Sequence, residues 1–80
     1  MHLIYWDQSV VINIDEGVTH SVGNVADAEN ILLTRWDKFE PDSLGDAVVA
    51  CLSCKHDHET TTEARTAFRN AAQVSGILAQ

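Results

Sequence analysis

An alternation of apolar side chains, broken by one glycine turn, constrains this chain most. Val10, Ile12 and Ile14 recur at every second residue, Asp15, Glu16 and Gly17 interrupt them, and Val18, His20 and Val22 resume the period. A two-residue period sends successive side chains to opposite faces, so each run predicts a strand with one buried face. Gly17 readily takes the left-handed conformation that closes a short turn, and residues 10–14 and 18–22 therefore predict an antiparallel hairpin. A lone hairpin is marginal in water, so helices, another strand or a partner chain must cover its apolar face.

Beyond the hairpin the period changes to that of a helix. Asn24 is placed as a helix N-cap with Asp27 three residues on, at the positive end of the helix dipole. Val25, Ala28, Ile31, Leu32 and Trp36 then form one inward stripe, which predicts a helix over residues 25–36. Pro41 stops or restarts the chain, and Leu44, Ala47, Val48, Cys51 and Leu52 mark a second helix over residues 42–54. Thr60 and Glu63 fit a Thr-x-x-Glu capping box, opening a third helix that turns Ala64, Ala67, Phe68, Ala71 and Val74 or Ser75 inward and ends at Gly76. The fold class expected is α+β: an N-terminal antiparallel β-hairpin followed by three helices packed on one face.

With 80 residues the chain has material for one small domain, residues 1–80, with a thin core and a stability of a few kcal/mol. Twelve acidic against five basic residues leave a net charge of −7, and Arg35, Lys38, Lys55, Arg65 and Arg69 form no basic stripe. Nucleic acid is therefore not an expected partner, and an anionic membrane surface is disfavoured. The uncharged apolar run at residues 9–14 is far too short for a membrane span, and no basic-then-apolar leader opens the chain. Two cysteines three positions apart cannot staple a secreted domain, so the expected setting is the reducing cytoplasm.

Cys51, Cys54, His56 and His58 have the residue types of a tetrahedral zinc site. Their spacing is poor, because all four fall within eight residues and Cys51 belongs to a buried helical stripe, where cysteine usually serves as a small core hydrophobe. A thioredoxin-like role would place a cysteine at a helix N-terminus, whereas both lie near a helix C-terminus that disfavours the thiolate. No nucleophile elbow, phosphate loop or zinc-protease helix is present, and no cofactor or catalytic residue is assigned. His20 reads as a half-covered residue of the sheet surface rather than a base. Arg65 and Arg69, one turn apart, suit an acidic ligand, but pairing with nearby carboxylates is the expectation in so acidic a chain. The sequence does not decide whether Trp6 and Trp36 are core or interface.

Trp6, the Val10-Val11-Ile12 strand, the Val22-Gly23-Asn24-Val25-Ala26-Asp27-Ala28 junction, Trp36, Ala50-Cys51, Glu63-Ala64-Arg65, Phe68 and Ala71-Ala72 follow one another along most of the chain. This order of landmarks resembles a bacterial family known as domain of unknown function 982, small proteins of rhizobia-like lineages. It implies the same fold and carries no activity, substrate or catalytic residue, and Cys54, His56 and His58 fall where that family is expected to vary. The functional expectation is a non-enzymatic interaction or regulatory module, a homodimer or the binder of another protein through a strand edge or apolar patch. The alternative is a small zinc protein built on Cys51, Cys54, His56 and His58.

Overall fold

The computed structural model describes residues 5–54 and 57–79, with His58 described by its backbone alone. The elements run β1 (Tyr5–Asp15), β2 (Val18–Asn24), α1 (Val25–Thr34), a 3-10 turn at Trp36–Lys38, α2 (Pro41–Leu52) and α3 (His58–Val74). This is the α+β arrangement expected: a hairpin and then three helices. No helix among the described residues is long and apolar enough to cross a membrane.

β1 and β2 pair antiparallel, and Gly17 turns the chain between them at φ +77°. Val10 sits opposite Val22 and Ile12 opposite His20, and Val10, Ile12 and Val22 are buried. β1 starts at Tyr5, well before the predicted strand, and the sequence does not signal it because Asp7, Gln8 and Ser9 are polar and exposed and break the alternation between buried Trp6 and Val10. Two register shifts interrupt the ladder, one between Tyr5 and Val10 and one between Asn13 and Asp15. The second shift pairs Val18 with Asp15 rather than continuing the inner face, so Val18 is exposed although its spacing predicts it beside Val22.

Residues 77–79 form a short extended segment on the outer edge of β1. Asn13 donates its backbone N–H to the Ile77 carbonyl at 2.7 Å, Ala79 donates to the Val11 carbonyl at 2.8 Å, and Ile12 bridges Leu78. Gly76 makes the turn out of α3 at φ +75°.

The helix ends follow local chemistry. The Asn24 side chain accepts the Asp27 N–H at 2.8 Å, as the sequence predicts. α1 stops at Thr34, where Arg35 leaves helical geometry at φ −121°, ψ 32°. Trp36 therefore departs from the inward stripe and is 63% exposed, and Phe39 enters the core in its place. Glu40 caps α2 by accepting the N–H groups of Asp42 and Ser43, with Pro41 in the first turn. The Ser43 N–H bond, with that of Asp42 next, holds the Glu40 carboxyl below its ordinary range. On α2, Ala47 and Cys51 are buried and Leu44 and Val48 half-buried, but Leu52, predicted inside, is exposed in the last turn. Asp57, not Thr60, caps α3: its carboxylate accepts the Thr60 N–H at 2.8 Å and the Thr60 hydroxyl at 2.9 Å. The aspartate three residues upstream satisfies an orphan N–H of an earlier first turn, so the helix starts before Thr60.

The buried residues form one cluster around Phe68, which is fully enclosed. Its ring lies 6.0 Å from Trp6 on one side and 6.0 Å from Phe39 on the other, both tilted. Ala28, Ala47, Ala64, Ala71 and Ala72 are also buried, and such small side chains bring helix backbones close together. Ser75 Oγ accepts the Glu40 N–H at 2.7 Å, tying the end of α3 to the start of α2.

Candidate functional site

The cysteines divide between the core and its margin. Cys51 is buried on α2, and desolvation, helped by the charges of Glu29 and Cys54, pushes its thiol up to about 11. A thiol held neutral in this way is a poor metal ligand and a poor nucleophile at neutral pH. Cys54 is half-buried, with Sγ 3.7 Å from the Thr60 hydroxyl and 3.6 Å from that of Thr61. His56 and the side chain of His58 lie outside the described residues. Among the described residues no group of three or more His, Cys, Asp or Glu side chains is placed to hold a metal. His20 is half-buried, and its Nε2–H donates to Asp27 Oδ2 at 3.2 Å, joining β2 to the first turn of α1.

Arg65 and Arg69 depart from expectation. No carboxylate among the described residues pairs with either; the ion pairs there are His20 with Asp27 and Lys38 with Asp15. The signal is visible in the sequence. The neighbours of Arg65 at three and four residues are Thr61, Thr62, Phe68 and Arg69, and those of Arg69 are Arg65, Thr66, Ala72 and Gln73, none of them acidic.

Both arginines are half-buried at the junction of α3 with β1. The register shift after Tyr5 leaves residues 6–9 without opposite partners on β2, and the carbonyl of Gln8 accepts the Arg65 Nε–H at 2.8 Å. The guanidinium is thereby oriented, and its terminal NH2 groups carry no hydrogen bond among the described residues. Two adjoining recesses flank the arginines. One, about 470 Å³, lies toward Thr66, Asn70 and Gln73 on α3; the other, about 620 Å³, lies toward Ser9, Val11 and Ser21 on the hairpin, and Gln8 lines both. Neither is lined by a carboxylate. A third recess of about 330 Å³ extends past Arg65 toward Tyr5 and Trp6 and includes Asp7. Trp6 Nε1 is buried without a hydrogen-bond partner among the described residues.

A second unusual surface is the free edge of β2. Val11 and Asn13 spend their backbone groups on the C-terminal segment. In an antiparallel ladder alternate residues face opposite ways, so Val10 and Ile12 bond to β2 at Val22 and His20. Thr19 and Ser21 are left with N–H and C=O groups turned away from β1, and the sheet has no further strand on that side among the described residues.

Neither a curated protein nor a solved structure matches this chain. The profile of a family described as protein of unknown function, DUF982, matches residues 8–79. That span includes β1 from Gln8 onward, β2, all three helices and both arginines of the groove, and by it the chain belongs to the DUF982 family.

Proposed function

We propose that the protein is a non-enzymatic interaction module that pairs with a second copy of itself through the open edge of β2. The observation that carries this reading is the asymmetry of the sheet: the outer edge of β1 is covered by residues 77–79, whereas no strand among the described residues pairs with that of β2. Exposed edges are usually protected by lysine, proline or inward-pointing charge. β2 reads Val-Thr-His-Ser-Val-Gly-Asn, with no proline, lysine or carboxylate. A two-fold axis beside β2 would set Thr19 and Ser21 of one copy against the same residues of the other, giving a four-stranded sheet from two marginal hairpins. Glu40 serves as a helix cap and Cys51 as a core thiol, structural roles that fit a module without chemistry. Cys51 is a free thiol, which fits the cytoplasmic setting expected.

Light scattering coupled to size exclusion tests the proposal. The native chain is expected to elute as a dimer and Thr19→Pro as a folded monomer, because the outward N–H of Thr19 serves pairing but not the β1–β2 ladder. A native chain that stays monomeric at millimolar concentration, or a Thr19→Pro variant that still dimerises, overturns it.

A further inference from the structure

We propose that the groove between β1 and α3 binds a compact oxyanion, a ligand presenting a phosphate or carboxylate group to Arg65 and Arg69. Two half-buried guanidinium groups stand one helical turn apart with no carboxylate partner among the described residues, in a chain of net charge −7. Twelve carboxylates are available to neutralise them. The recesses on both sides are instead lined by amide and hydroxyl side chains. Guanidinium forks bind phosphate and carboxylate oxygens bidentately, and neutral amide and hydroxyl donors complete such a shell without competing for the cation.

Arg65 is already oriented by its bond to the Gln8 carbonyl, so less side-chain entropy is lost when an anion docks. The position along the groove also follows from charge. Asp7 lines the recess at the Tyr5 and Trp6 end and repels an anion there, which centres the site toward Arg69 and Ser21. The two acid-free recesses, about 470 and 620 Å³, are of small-molecule size. A long polyanion is disfavoured because the remaining surface is strongly acidic.

The test is a ¹H–¹⁵N NMR titration of the full chain at fixed ionic strength, with inorganic phosphate in one series, citrate in a second and sodium chloride in a third. The expected result is a saturable shift of the Arg65 and Arg69 Nε–H signals and the Ser9 and Ser21 amides with phosphate or citrate but not chloride. Saturation by phosphate alone assigns a phosphate ligand, and by citrate alone a carboxylate. Affinity should fall about ten-fold or more in Arg69→Gln, less in Arg69→Lys, and not at all in Arg35→Gln. Shifts that fail to saturate with either anion, that chloride reproduces, or that persist at full affinity in a folded Arg69→Gln variant overturn the proposal.

Discussion

The backbone N–H of Asn13 donates to the carbonyl of Ile77 at 2.7 Å, joining residues 64 positions apart in the chain, so that the end of the polypeptide closes the edge of its first strand. With the bond from Ala79 to Val11, this contact turns a two-stranded hairpin into a sheet with one protected side. Half-buried Ile77 and Leu78 pack against the core from the same segment.

Deleting residues 77–80 is therefore expected to cost about 3 kcal/mol, from three backbone hydrogen bonds, with Asn13, Val11 and Ala72, and two partly buried aliphatic side chains. It also bares a second edge, so association beyond a dimer should rise. Urea denaturation and light scattering check the two effects separately. An unchanged midpoint would show that the segment adds no net stability.

The two tryptophans should respond oppositely to substitution. Trp6 is 8% exposed and packs on Phe68, so Trp6→Ala should cost about 3–5 kcal/mol, close to the whole stability of so small a domain. Trp6→Phe is the milder variant if alanine prevents folding. Trp36→Ala should change stability by about 0.5 kcal/mol or less, because most of that side chain already faces water. Denaturation followed by circular dichroism gives both values, and the Trp36→Ala protein should show the blue-shifted emission of a buried indole.

Cys51 should resist alkylation by iodoacetamide in the native protein at neutral pH and react once the chain is unfolded. Burial raises its folded-state thiol from 9.0 to about 11. Below 9.0 the thiol is neutral in both states and the fold is not penalised. As pH rises from 9.0 toward 11 the unfolded chain loses the proton first, so stability falls through that window. Cys51→Ala should flatten this alkaline limb of the melting temperature against pH. A chelator such as EDTA should leave the melting temperature unchanged; a drop on chelation would instead favour the zinc alternative involving Cys51.

Features set by a few neighbouring residues were legible from the sequence. The Gly17 turn, the Asn24 cap, the inner faces of Val10, Ile12 and Val22, and the stripe of Ala28, Ile31 and Leu32 each need only a glycine, a capping side chain or a short period. That Arg65 and Arg69 form no ion pair with a carboxylate among the described residues was nearly as legible, since no acidic residue stands at helical spacing from either, although the net acidity suggested such partners. Long-range packing alone decided the rest. One irregular residue, Arg35, turns Trp36 into solvent and Phe39 toward Phe68, and a period carried past that point fails. The C-terminal strand segment shows no alternation, because three residues are too few to display one, and only the fold brings residues 77–79 beside Val11 and Asn13. The register shift that frees the Gln8 carbonyl for Arg65 depends on how two strands and a distant helix fit together, a relation that no local stretch of sequence encodes.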